Sequence, residues 1–187
     1  MPLITTVSKS EEVQGILDLQ QQNLREKLDS ETIANQGFVT VKHDYPTLKA
    51  MNDAEPSIIA KDNDKIVGYC LSMLPQFREA IPTLESLFQL IDEVEYEEKK
   101  LKQYSYVVMG QVCVAEEFRG QQIFDKMYYH MQEVLSDRYE LCITDISSAN
   151  ARSLRAHTRV GFKSVHEFYE PSLQEVWHLV VWDWRQV

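Results

Sequence analysis

A chain of 187 residues with 44% apolar and 26% charged residues has enough material for one folded domain with a sizeable core. Its formal net charge of −10 argues against nucleic acid as the principal partner, since phosphate backbones are gripped by basic surface. No apolar run approaches the roughly 20 residues that cross a bilayer, and Met1-Pro2-Leu3-Ile4-Thr5-Thr6 lacks the regions of a signal peptide.

In chain order, Leu3 to Val7 predicts a short strand. Ser8 or Ser10 then offers a cap for an amphipathic helix through Val13, Ile16/Leu17, Leu24 and Leu28. Gly37 to Val41 is brief and ambiguous, and Tyr45-Pro46 opens a second helix through Leu48 and Met51. Residues 57–61 and 65–71 flank Asp62-Asn63-Asp64 and predict a hairpin. Residues 75–103 hold a helix from Leu84 to Val94 and then the charge run 95–100, read as a solvated helix end or loop. That segment can wall a cleft or simply pack on a sheet.

Val107 to Val114 reads as a buried strand, and apolar residues then recur as Ile123/Phe124, Met127/Tyr128, Met131 and Val134/Leu135, the spacing of a helix with one buried face. The intervening Arg119-Gly120-Gln121-Gln122 brings free N–H groups and the positive end of the helix dipole together, which suits a phosphate or pyrophosphate. An ordinary strand–helix connection fits equally well. Leu141 to Ile146 is a further strand, Ser148 or Asn150 caps a helix that Gly161 ends, and strands at 162–169 and 176–184 close the chain. Elements interleave without a linker or repeat, so a single α/β domain over 1–187 is expected.

On the helix after Asn150, the residues Asn150, Ser153 and His157 share one face, with Leu154 and Val160 flanking them, and Arg152, Arg155 and Arg159 share the opposite one. The polar triplet therefore points inward, where it must find partners or contact a ligand. No acidic residue occurs from Ser147 to His166. Cys70, Cys113 and Cys142 lie in apolar runs without a C-x-x-C pair and read as buried thiols of a cytoplasmic protein. The five histidines show no ligand spacing, so no metal is expected.

Two stretches together resemble the GNAT superfamily of acyl-CoA-dependent N-acyltransferases. That family carries R/Q-x-x-G-x-G/A at a strand–helix turn and, downstream, N-x-x-[AS]-x-x-x-Y-x-x-x-G-F. Here the second pattern reads Asn150, Ser153, His157, Gly161, Phe162, with His in place of Tyr, and the first reads Arg119 to Phe124, with Gln122 and Phe124 replacing the small residues.

The resemblance implies a mixed, mostly antiparallel central sheet of about seven strands flanked by helices on both faces, and acetyl-CoA as co-substrate. It implies that Val112, Cys113 and Val114 hold pantetheine through their backbones, and that Arg119, Gly120, Gln121, Gln122, Ile123 and Phe124 hold the pyrophosphate. Asn150 and Ser153 would contact the CoA arm, and an N–H near Val114 would stabilise the oxyanion. His157 stands where the family has its tyrosine acid, or else bonds a neighbouring carbonyl. The central strand has no carboxylate, so Asp145 is the nearest candidate to order water or grip an ammonium, or is a loop cap.

The activity implied is acetyl transfer to a primary amine by direct attack in a ternary complex. The alternative is an inactive GNAT-like acyl-CoA-binding or regulatory module. Implied partners are a small-molecule or peptide amine and a second copy of the chain, with neither nucleic acid nor membrane. Tyr45, Phe77, Phe88, Tyr96 and Tyr104 fall in segments that border the acceptor cleft in this fold, although aromatics are more often core.

Overall fold

The computed structural model describes residues 1–28, 38–171 and 173–185. In chain order its elements are β1 (Leu3–Thr6), α1 (Ser10–Asn23), α2 (Tyr45–Ala54), β2 (Ile58–Asp62), β3 (Lys65–Met73), α3 (Glu85–Glu93), β4 (Glu95–Tyr96), β5 (Lys99–Lys100) and β6 (Tyr106–Val114). There follow α4 (Ile123–Leu135), β7 (Leu141–Ser147), α5 (Ala151–Val160), β8 (Lys163–Glu170) and β9 (Glu175–Asp183). Seven strands form one sheet in the order β1-β2-β3-β6-β7-β9-β8. The pairs β1/β2, β2/β3, β7/β9 and β8/β9 are antiparallel and β6/β7 is parallel, so the expected mostly antiparallel mixed sheet is present.

Several sequence expectations need correction. Neither Ser8 nor Ser10 caps α1: the N-cap is Lys9, and the Glu12 carboxylate accepts the N–H groups of Ser8 and Lys9 at 2.7 and 3.0 Å. The helix also stops at Asn23, and Leu24 leaves it in extended conformation to bridge Val39. The run 95–100 is a two-residue hairpin, β4/β5, turned by Glu97 at φ 55°, because Glu95 and Tyr96 pair with Lys100 and Lys99. Of the ambiguous stretch 37–41, Gly37 lies outside the described residues.

The chain divides into two compact units, one of residues 1–73 and 109–134, the other of 74–108 and 135–187. In the first, strand alternation puts successive residues of β3 on opposite faces. The Tyr69 hydroxyl reaches Gln111 on one face, while Gly68 and Cys70 meet Met127 and Met131 of α4 on the other. α1 supplies Val13, Ile16, Leu17 and Leu19 to the core, and α2, capped by Asp44 Oδ1 on the Thr47 N–H at 2.8 Å, supplies Leu48 and Met51. In the second unit, the core gathers Leu87, Phe88 and Ile91 of α3, Leu141 to Ile143 of β7, Val160, Phe162 and the β9 residues Leu179 to Trp182.

Candidate active site

In the first unit, β6 runs into the turn that opens α4. Arg119 is folded back: its Nε donates to the Val114 carbonyl at 3.0 Å and an Nη to Asn23 Oδ1 at 2.9 Å. The guanidinium thus ties the end of β6 to the end of α1. The Ala115 N–H is taken by the Val67 carbonyl at 2.9 Å. Cys113 is buried, and burial pushes its thiol up to about 12 against the Arg119 charge, the Tyr69 hydroxyl and the Val114 N–H. All three cysteines are free and buried.

The turn is built from two left-handed residues, Gly120 at φ 78° and Gln122 at φ 61°. Gln122 therefore occupies the backbone form that glycine adopts without strain, and not the helical form that its place beside α4 allows. A Cβ on Gly120 would meet no atom within 4 Å, so the turn faces open space. Gln122, left-handed, runs directly into Ile123, the first residue of α4, and such a change of hand lets successive N–H groups converge on an anion, while the first N–H groups of α4 precede any acceptor inside the helix. The Phe124 ring lies against Tyr128 on its own helix, centroids 4.8 Å apart. The residues present fit a pyrophosphate.

In the second unit, α5 presents the predicted faces, with His157 and Val160 buried and Arg152, Arg155 and Arg159 exposed. Asn150 is the cap, its Oδ1 accepting the Ser153 N–H at 3.1 Å, and Gly161 at φ 126° ends the helix. His157 Nδ1 lies 2.8 Å from the Ser153 carbonyl and 3.2 Å from its hydroxyl. A carbonyl can only accept, so the ring proton sits on Nδ1. Burial pushes the imidazole down to about 4, with that backbone bond pulling the other way, so the ring is neutral at pH 7 with its lone pair on Nε2. Asp145, on β7, keeps some exposure. Burial of its carboxyl pushes it up to about 7, opposed by a backbone hydrogen bond and aided by the Glu170 charge.

The predicted residues thus fall into two sets, Val112 to Phe124 in the first unit and Asp145, Asn150, Ser153 and His157 in the second. Of the aromatic candidates, Phe88 and Tyr104 are core residues, whereas Tyr45, Phe77 and Tyr96 keep some exposure.

The family's sequence profile, Acetyltransferase (GNAT) family, matches residues 21–162. The chain belongs to the GNAT acetyltransferase family. No curated protein matches the sequence. Solved structures share the fold at low identity. The ribosomal-protein-S18-alanine N-acetyltransferase of Escherichia coli superposes with a TM-score of 0.62 at 10% identity, covering 98% of this chain and 94% of its own. The yncA protein of Salmonella typhimurium, solved with its cofactor acetyl-CoA, gives 0.64 at 13%, covering 100% and 95%. The NatC complex bound to Gag peptide and CoA gives 0.65 at 10%, covering 97% and 98%.

Sequence reasoning missed a buried amide network in this GNAT chain. Gln20 Oε1 accepts the His43 N–H at 2.9 Å, and Gln20 Nε2 contacts both His43 Nδ1 at 2.9 Å and Gln111 Oε1 at 2.8 Å. Gln111 Oε1 also takes the Tyr69 hydroxyl at 2.7 Å, and its Nε2 donates to the Val41 carbonyl at 2.8 Å. A signal existed: Gln20 continues the buried spacing of Val13, Ile16 and Leu17, and Gln111 stands inside an apolar strand.

Proposed function

We propose that this protein is a single-domain, acetyl-CoA-dependent N-acetyltransferase that moves the acetyl group to a primary amine by direct attack in a ternary complex. The observation that carries the reading is the turn after β6, where Gly120 and Gln122 adopt left-handed backbone ahead of the thirteen-residue helix α4. A substituted motif thus keeps the main-chain form that anion binding needs. In this reading residues 119–124 bind pyrophosphate, the backbones of Val112, Cys113 and Val114 bind pantetheine, and Asn150 and Ser153 touch the CoA arm. A main-chain N–H near Val114 is the oxyanion donor in this reading, the Ala115 N–H being engaged by the Val67 carbonyl.

Proton handling divides by environment. Asp145, held near 7, suits the removal of an amine proton at neutral pH. His157, neutral with its lone pair on Nε2, enters such a step as an acceptor and returns a proton only after taking one up. A reducing, intracellular setting accords with three free, buried thiols.

The test is thermal melting with acetyl-CoA, CoA and desulfo-CoA near 1 mM, followed by release of free CoA across an amine panel. Ligand at 100 times its Kd adds about 2.7 kcal/mol. A rise in Tm with turnover supports the transferase; a rise with no turnover on any amine supports an acyl-CoA-binding module; no rise overturns both.

A further inference from the structure

Arg119 stands at the head of the stretch assigned to pyrophosphate, yet its polar groups turn toward the protein. Its Nε donates to the Val114 carbonyl at 3.0 Å and an Nη to Asn23 Oδ1 at 2.9 Å. Its main-chain N–H donates to the Glu116 carbonyl at 3.1 Å. A guanidinium is a rigid, flat fork, so one that grips two acceptors fixes the distance between them.

The Asn23 acceptor is itself braced. Asn23 is buried, and its Nδ2 donates to the Leu19 carbonyl at 2.9 Å, which leaves Oδ1 to face Arg119. Its main-chain carbonyl takes the Val39 N–H at 3.1 Å. The fork therefore rests on a firm end of α1.

The Val114 acceptor belongs to a peptide group gripped from two sides. Its carbonyl meets Arg119, and the N–H of the same peptide, that of Ala115, donates to the Val67 carbonyl of β3 at 2.9 Å. The carbonyl and N–H of a trans peptide point in opposite directions, so these two bonds stop the plane from rotating. This plane lies where β6 ends and the turn toward α4 begins. The turn brings donors of its own: the N–H groups of Gly120 to Ile123 come ahead of the first bond of α4, from the Lys126 N–H to the Gln122 carbonyl at 3.0 Å.

We propose that Arg119 is a positioning residue for the CoA arm: by fixing the Val114–Ala115 peptide it presets the strand edge that pantetheine meets, and it leaves the pyrophosphate to the main chain of the turn. The inference rests on the acetyltransferase reading for the identity of the ligand. An arm laid along a strand needs its peptide planes aligned beforehand, because ordering them on binding subtracts from affinity. Lysine cannot take over this task. It keeps the charge, but a point donor on a flexible stem does not span two acceptors.

The experiment titrates CoA and 3′-phospho-ADP, which is CoA cut at the pyrophosphate, into the wild type, Arg119→Gln, Arg119→Lys and Asn23→Ala. Arg119→Gln is expected to weaken CoA about tenfold and to leave 3′-phospho-ADP within about twofold of the wild type. Arg119→Lys should do no better than Arg119→Gln. Asn23→Ala, on another element and removing no charge, should weaken CoA in the same selective way. The double variant Asn23→Ala/Arg119→Gln should lose no more than Arg119→Gln alone, since both act through one clamp.

Loss of both ligands with recovery in Arg119→Lys means that the guanidinium charge meets the phosphates, and overturns the proposal. Loss of both without recovery means that the turn itself has collapsed, and no loss of either means that the clamp is idle; each overturns it too. A wild type that binds CoA but not 3′-phospho-ADP refutes the assignment of pyrophosphate to the main chain of the turn. A wild type that binds neither removes the acetyltransferase reading itself, a result that no pattern among the variants can imitate.

Discussion

The amide nitrogen of Gln20 lies 2.8 Å from the amide oxygen of Gln111, joining a helix to a strand ninety-one residues further along the chain. Both side chains are buried, and every partner in the chain of bonds from Val41 to Tyr69 is committed. Such a network is worth little against water while intact and is costly when broken.

Gln111→Leu keeps the volume and removes the centre of this network. It strands the Tyr69 hydroxyl, a Gln20 N–H and the Val41 carbonyl in the core. The expected loss is about 2 kcal/mol or more, read by urea denaturation. That corresponds to a fall in Tm of about 4–8 °C for a chain of this length. A loss under about 0.5 kcal/mol would show that water replaces the amide.

The turn after β6 allows opposite signs at neighbouring positions. Gln122→Gly removes the left-handed strain of a side-chain-bearing residue, a gain of about 1 kcal/mol offset in part by the flexibility of glycine in the unfolded chain. A small rise in Tm is expected, with CoA bound at least as tightly. Gly120→Ala meets no clash, since the space is open, yet it must hold φ 78°, and it should lose about 1 kcal/mol. Melting curves of the two variants, with and without CoA, check both signs.

Much of this could be read from residue spacing. The hairpin at Asn63, the strand 107–114 and the two faces of α5 follow from short-range periodicity and turn chemistry, so they lie close to where the sequence puts them. Some of the errors come from partners distant in the chain. α1 ends at Asn23 because Leu24 bridges Val39, and its start is held by Glu12, a residue chosen also by Lys61 on β2 at 2.7 Å. No spacing rule brings the Gln20 amide to the His43 ring, whereas the Ser153 carbonyl that meets His157 lies one helical turn back. Gln122 matched the motif poorly by residue type, while its backbone keeps the conformation of a glycine.

Gly161 is fixed by both backbone and neighbour. Its φ is 126°, its N–H donates to the carbonyls of His157 and Thr158, and an added Cβ would stand 2.4 Å from Trp182 Nε1 and 2.9 Å from Cδ1. Trp182 is buried between Phe162 and Trp184, so it has little room to yield. Gly161→Ala should cost about 3 kcal/mol or more. Because the displaced indole belongs to the core around His157, its near-UV circular dichroism should change along with the midpoint of unfolding. An unchanged midpoint would mean that the end of α5 relaxes freely.

Asp145 links stability to pH in a direction opposite to that of most carboxylates. Its folded value is about 7, against about 4 in an unfolded chain, so between those limits the folded state holds the proton more firmly. Its contribution is therefore full below about pH 4 and is lost as pH rises through 7. Asp145→Asn removes the titration: the variant should melt at the same temperature as the wild type at low pH and above it at pH 8. If this carboxylate takes the amine proton, the wild-type kcat/KM should rise with pH around 7, and the variant should lack that limb. Glu170→Gln separates the two effects, since removing the neighbouring charge lowers the Asp145 value and moves the rising limb to lower pH while the carboxylate itself remains. A limb that stays in place in Glu170→Gln and persists in Asp145→Asn would assign the proton transfer to another group.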